Sequence, residues 1–376
     1  MINNPAKEIF YGCKIILISI LDSFFQNYSN KKINSDKIAL VKVDNLGDLI
    51  LWLPTAKAIK DFYKSKKIVL ICNQSFYEFA KLTGLFDDVI GVEINYFNKK
   101  LLYRFFKLKI FSKLSFFSVF HTTYSRDYLL GDSIVRSLQS EIKIGFDCDN
   151  LNQSKFHKLI SNNWYTRLIS SQNREMFEMN RNNEFLINLG IDLYPKKYIL
   201  PKLPIFLDYM PAKEFIVICP GASKPDRCWS AKKFSKLIDQ LSDKYNFLIF
   251  LCGSKNDLKQ SEVIIKNSKS KNIKNFTGKT NLMQLIEILR KSKFNIANDS
   301  APIHISYALD IPSICISRGN NFGRFVPYPN KLKNAPKTIF NKECLSNNFS
   351  VDRVSYYIDK ITVREVSDLF DINYKP

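Results

Sequence analysis

The strongest constraint on the fold is a repeat in the second half of the chain. Short, wholly apolar runs end at a glycine or an acid, and each is followed by a helical pattern. "EFIVICPGAS" reads as a strand closing in Pro-Gly, and "SAKKFSKLIDQLSDKY" as a helix. That helix sets Phe234, Leu237, Ile238 and Leu241 on one face, with Ser230 as its cap. The strands "FLIFLCGS", "IKNFTGK", "FNIAND" and "PSICIS" follow, separated by the helices "DLKQSEVIIKNS", "NLMQLIEILRKS" and "APIHISYALD". Strands apolar on both faces cannot leave one face in water. Alternating with helices, they predict a parallel, doubly wound sheet in an α/β protein. The first half repeats the theme: strands "IALVKV", "KIVLICN", "DVIGVE" and "FFSVFH", with helices "TAKAIKDFYK" and "FYEFAKLTG".

Between the halves lies "DLYPKKYILPKLPIFLDYMPAKEF", where Pro195, Pro201, Pro204 and Pro211 break any helical period and mark an extended connector. The chain, 376 residues long, has room for two cores. The expected organisation is an N-terminal amphipathic helical extension (1–35), a first domain (36–203) and a second domain (204–376). Open α/β sheets bind ligands at the carboxyl ends of their strands, so two such domains are expected to face each other across a cleft.

Composition narrows the partners. The net charge is +21, from 56 Lys and Arg against 35 acids, which favours anionic ligands or surfaces. The eight cysteines are scattered with no CxxC pair, the pattern of a reducing compartment with neither a disulfide framework nor a zinc site. In "EIFYGCKIILISILDSFF" the uninterrupted apolar run, Ile15 to Ile18, is too short to span a bilayer, and no cleavage signature follows. Two readings stand: a helix packed on the first domain, or an interfacial helix on a membrane. The basic segment at 99–117 is likewise either a helix covering the sheet with its cations in water, or an anion-facing surface.

Four strand-end loops carry polar chemistry. In "DNLGD", Gly47 permits a tight turn, and Asp48 at a helix start is either a cap or a general base whose ionised form the helix dipole favours. Asp44 and Asn45 share the loop. In "PGASKPDRCWS", Ser223, Lys224 and Arg227 precede a helix, a setting suited to a diphosphate. In "CGSKND", Asp257 sits where dinucleotide domains hold a ribose, although an Asp opening a helix is ordinarily a cap. In "NDSAPIH", Asp299, Ser300 and His304 open another helix, where a lone histidine is commonly structural. "FDCDN" contains a DxD triplet, Asp147 and Asp149, which reads as a turn rather than a metal site.

The order and spacing of these pieces, with "EMNRNNEFLINLG" and "GKTNLMQLIEIL", resemble glycosyltransferase family 9, the ADP-heptose:lipopolysaccharide heptosyltransferases, from about Lys37 onward. The resemblance implies a GT-B fold of two Rossmann-like domains. It also implies an inverting enzyme with a nucleotide-diphosphate-sugar donor of the ADP-heptose type, no obligatory metal and no other cofactor. By the same resemblance Asp48 is the catalytic base. Ser223, Lys224, Arg227, Asp257, Asp299, Ser300, Ala301 and His304 are donor-side residues. Ala301 stands where the family usually has glycine, Arg227 where it has lysine, and Ser230 where it has proline. Asp44, Asn45, Gly47, Arg126 and Arg324 are candidates for the acceptor side or the cleft.

The expected partners are a nucleotide sugar, a phosphorylated lipid-linked glycan and a membrane surface, with no nucleic acid. The expected location is cytoplasmic, peripheral on the inner face of the cytoplasmic membrane of a bacterium. The competing readings are a GT-B enzyme with a UDP- or GDP-sugar, and a non-catalytic protein binding anionic glycans. The absence of G-x-G-x-x-G after a strand counts against a dehydrogenase.

Overall fold

The computed structural model describes residues 15–25, 35–171, 176–192, 197–202, 211–319, 322–341 and 358–374. The expected domain junction at 203/204, Pro195, Pro204, Cys13, Cys344 and the extension before residue 15 lie outside the described residues. Two compact units emerge. One comprises Met1–Asn45, Trp52–Arg174 and Asn180–Pro195. The other comprises Leu46–Leu51, Glu175–Met179 and Lys196–Pro376.

The first unit opens with a helix over 15–23 (α1). Then come β1 (Lys37–Lys42), α2 (Leu46–Phe62), β2 (Lys67–Asn73), α3 (Tyr77–Leu82), β3 (Asp88–Val92), α4 (Ile94–Lys99) and α5 (Leu101–Phe111). After these follow β4 (Ser118–His121), α6 (Gly131–Ser137), β5 (Lys143–Phe146), α7 (Lys155–Asn162), β6 (Arg167–Ile169) and α8 (Glu178–Asn188). All neighbouring strands are parallel, in the order β3-β2-β1-β4-β5-β6. Ala39, Val41, Val69, Ile71 and Val119 are buried in the core of this unit with Leu108, Phe111 and Phe116.

The second unit runs β7 (Phe215–Cys219), α9 (Ala231–Tyr245), β8 (Leu248–Leu251), α10 (Leu258–Asn267), β9 (Ile273–Asn275) and α11 (Leu282–Lys291). It continues through β10 (Asn295–Asn298), α12 (Ala301–Leu309), β11 (Ser313–Ile316) and β12 (Lys337–Ile339) to α13 (Val363–Asn373). Its parallel sheet has the order β12-β11-β10-β7-β8-β9. Read from its own first strand, this is the order of the first sheet again, the dinucleotide-binding arrangement. Each sheet therefore has one switch point, between β1 and β4 and between β7 and β10, and a ligand belongs at the carboxyl end of those strands. The periodic apolar face expected of α9 is observed: Phe234, Leu237, Ile238 and Leu241 are all buried.

Three strands exceed the sequence expectation: β5, within the segment read as leading to a turn, β6 and β12. Each opens on a Lys or Arg and carries no wholly apolar run, the signal by which the other strands are read. Helix α2 also begins at Leu46, nine residues ahead of the expected Thr55, and runs through Pro54. Leu49 to Leu53 are all buried, so the segment lacks the polar face that marks a helix in sequence. The proline removes one helical hydrogen bond donor without ending the helix.

Candidate active site

At the first sheet's switch point the loop after β1 meets the loop after β4. Asp44 accepts hydrogen bonds from Thr123 Oγ1 at 2.9 and 2.8 Å and lies 2.6 Å from Lys42 Nζ. Burial acts to raise the Asp44 carboxyl, but the Lys42 charge and the Thr123 hydroxyl outweigh it and hold it below the usual carboxylate range. Asp44 is thus a committed anion and a poor proton acceptor. Asn45 is the N-cap residue of α2, and Asp48 is the acid in its first turn. The dipole there favours a negative charge.

The first turn of α2 belongs to the second unit, and Gly47 shows why it must be glycine. A Cβ at this position would lie 2.7 Å from His304 Cδ2. His304 is buried on α12, and its Nδ1 shares a 2.6 Å hydrogen bond with the Tyr328 hydroxyl. Burial pushes the imidazole pKa down to about 4. At neutral pH the ring is therefore uncharged, and it packs against the backbone that presents Asp48.

The second sheet's switch point is built around Asn298, the last residue of β10. Its side chain accepts from the Trp229 backbone N–H at 3.0 Å and donates to the Pro220 carbonyl, fixing the whole loop after β7. The Trp229 indole is buried and donates to Ile361 O at 3.0 Å, anchoring the end of that loop in the core. Ser223 and Lys224 are exposed on it, and Arg227 is partly buried 3.4 Å from Ser223 Oγ. Asp299 is buried beside the loop and accepts from Ser317 Oγ at 3.4 Å. Burial raises its carboxyl pKa, a push opposed by Arg227, Ser317 and Arg318. Ser300 holds the N-cap position of α12 without a side-chain cap bond, its hydroxyl donating instead to Asn298 O at 3.1 Å, and Ala301 is the first helical residue.

Asp257 precedes α10 but makes no side-chain cap bond to it; it is the acid of a capping box whose cap residue is Ser254. Asp257 Oδ2 accepts from the backbone N–H and the hydroxyl of Ser254, both at 2.7 Å. Its carboxyl also fills the space beside Gly221, where a Cβ would lie 2.3 Å away. Asp257 therefore ties the loop after β8 to the loop after β7, leaving Oδ1 beside the same loops.

Some expected residues are engaged elsewhere. Arg126 is fully buried in the first unit, over the Tyr165 ring and 3.5 Å from Asp132. It belongs to an interior network in which Tyr165 donates to Asp132 at 2.6 Å and shares a 2.6 Å bond with His121. Arg324 pairs with Glu178 at 2.9 Å. Of the DxD acids, Asp147 pairs with Lys158 at 2.7 Å, and Asp149 accepts from Ser125 at 2.9 Å. The sequence reading also missed one cation, Arg318. It follows β11, pairs with Asp226 of the loop after β7, and acts on Asp299. "SRGN" after an apolar strand was its only signal.

Two parallel sheets of dinucleotide-binding order, the second with cations on its strand-end loops, define a protein of the two-Rossmann class. Comparison with known proteins makes this specific. Residues 134–354 match the model of glycosyltransferase family 9 (heptosyltransferase). Lipopolysaccharide heptosyltransferase 1 of Campylobacter coli is 24% identical over 357 residues, covering 89% of this chain and 97% of that protein. Among solved structures, a family 9 glycosyl transferase from Veillonella parvula aligns with TM-score 0.70 at 13% identity, covering 92% and 99% of the two chains. The E. coli heptosyltransferase WaaC, solved with ADP-2-deoxy-2-fluoro heptose, aligns with TM-score 0.65 at 17% identity, covering 90% and 99%. The chain belongs to glycosyltransferase family 9. It is a glycosyltransferase with the GT-B fold.

Proposed function

We propose that this enzyme transfers a heptose from an ADP-heptose-type donor to a phosphorylated, lipid-linked core oligosaccharide of lipopolysaccharide, with inversion and without a metal. The observation that carries the reading is that Arg227 and Arg318 act on Asp299 at the second sheet's switch point, with Lys224 exposed on the same loop as Arg227. These cations sit where dinucleotide folds take a pyrophosphate. The WaaC structure contains an ADP-heptose analogue, and the Campylobacter relative is named for lipopolysaccharide.

In this mechanism Asp48 takes the proton of the acceptor hydroxyl as its oxygen attacks the anomeric carbon. The bond from that carbon to the diphosphate oxygen breaks, and its electron pair leaves with the diphosphate. Arg227, Arg318 and Lys224 stabilise that growing charge. Asp257 accepts from the ribose through Oδ1 while Oδ2 stays bonded to Ser254. Asp44 shapes the acceptor loop, and its ion pair with Lys42 leaves Asp48 as the base. The lipid-linked acceptor places the enzyme peripherally on the cytoplasmic face of the membrane.

The test is transfer from ADP-heptose, a UDP-sugar and a GDP-sugar to delipidated core acceptor, with and without EDTA. Turnover with ADP-heptose that survives EDTA supports the proposal. Preference for a UDP- or GDP-sugar replaces the donor assignment, and loss with EDTA restored by magnesium or manganese removes metal independence.

A further inference from the structure

Helix α1 meets the first unit through a charge. Asp22 is buried and receives Arg104 Nε at 2.7 Å and Nη2 at 2.5 Å, with the Ser133 hydroxyl donating to the same carboxylate. The Arg104 guanidinium also lies 4.3 Å from the centre of the Phe97 ring. Arg104 is therefore an internal clamp and no part of a solvated basic face. Ile18 is buried beside the clamp, and Leu21 and Phe25 pack on the core. An acid and its arginine, buried together, hold α1 against α5 in one rotational setting.

That setting turns the other side of α1 to solvent. Ile16, Leu17, Ile20 and Phe24 recur at helical spacing, and each is more than half exposed. The same holds on α5 for Leu102, Phe106 and Ile110. The two stripes are joined by rings: Phe25 meets Phe105 edge-on at 5.0 Å, and Phe105 meets Phe106 at 5.8 Å. Tyr96, also more than half exposed, stands edge-on to Tyr103 at 5.9 Å.

Charge identifies what covers this surface. Residues 94–117 hold six cations and no acid, and the single acid of residues 15–25 is the buried Asp22. Lys99, Lys100, Lys109 and Lys113 are all exposed. A second copy docking here would set lysines against lysines. An anionic lipid surface accepts both features, with apolar side chains among the acyl chains and lysines at the headgroups. Among the described residues no helix is long and apolar enough to cross a membrane.

We infer that α1 and α5 together form the surface on which this protein lies on an anionic bilayer, in the interfacial plane, with the Asp22–Arg104 pair fixing the angle between the helices. The inference rests on the peripheral membrane reading above and adds its residues and its lipid class.

The experiment is co-sedimentation of the full chain with vesicles of phosphatidylglycerol and phosphatidylcholine, or of phosphatidylcholine alone. Wild type is expected to bind the phosphatidylglycerol vesicles and to be released by salt. A Leu102→Ser, Phe106→Ser, Ile110→Ser variant should bind on the order of a hundredfold more weakly. Replacing Lys99, Lys100, Lys109 and Lys113 by Gln should cost about fivefold per lysine and erase the preference for phosphatidylglycerol. Ile372→Ser, an exposed apolar change on α13, should bind as wild type. All the changes are at exposed positions, so melting temperature and transfer to delipidated acceptor should be unchanged. Wild-type binding by the triple variant overturns the inference. So does a dimer of the wild type that the variants split, measured by sedimentation velocity. Failure of the wild type to use ADP-heptose strikes the functional proposal alone and leaves the vesicle result standing.

Discussion

The two sheets share one topology, yet their switch points are electrostatically unlike. In the first unit the polar groups pair among themselves: Asp44 with Lys42 and Thr123, and Asp132 with Tyr165, Arg126 and His121. In the second unit Lys224 is exposed, and Arg227 and Arg318 stand near a single buried acid. The first switch point balances its charges within its own loops, whereas at the second Arg318 pairs with Asp226 and Lys224 lies exposed on the same loop as that acid. One scaffold, repeated, thus carries two different arrangements of charge.

The largest effect that sharpens this contrast is on Asp48. In Asp48→Asn, turnover should fall by about 10²–10⁴ while donor affinity and melting temperature stay near wild type. A role limited to the helix dipole predicts turnover near wild type with at most a small loss of stability. Asp44→Ala should behave in the opposite way. It removes the ion pair of Lys42, which is 1% exposed, so chemical denaturation should show a loss of about 3–5 kcal/mol. Comparable stability in the two variants would break the distinction between a working and a structural acid.

His304 offers a pH test inside the second unit. Its folded pKa, about 4, lies below the ordinary 6.5, so its contribution is complete above pH 6.5 and is lost as pH falls through about 4. Unfolding free energy measured from pH 7 to 4 should therefore drop by about 3 kcal/mol more in wild type than in His304→Gln. Equal slopes would mean that the ring titrates normally. The smallest expected effect is on binding. Arg227→Ala and Arg318→Ala should each weaken ADP-sugar affinity by calorimetry, about tenfold to a hundredfold, the range of a charge-assisted contact at about 1.5–3 kcal/mol. Unchanged affinity in both would remove the cationic crevice from donor binding.

The parallel sheets, their helices and the four strand-end loops are legible in the linear pattern because they are local. An apolar run of five residues between two helices states its own burial. The strands β5, β6 and β12 are not legible, because each opens on a Lys or Arg and offers no wholly apolar run, its place being set by the neighbouring strands. Helix α2 was misjudged at its start for a related reason: a helix buried all round has no amphipathic signature.

Residue types and their order were enough to place Asp48, Arg227, Asp257 and Asp299 at strand ends. Their electrical state was not, because it depends on which groups packing brings close and on how much water it removes. Arg318 reaches Asp226 across 92 residues, and Arg104 reaches Asp22 across 82. His304 is neutral only because its surroundings are dry. No spacing along a chain encodes a dielectric, so folding alone turns one cation into a clamp, pairs another across two loops and strips a third group of its charge.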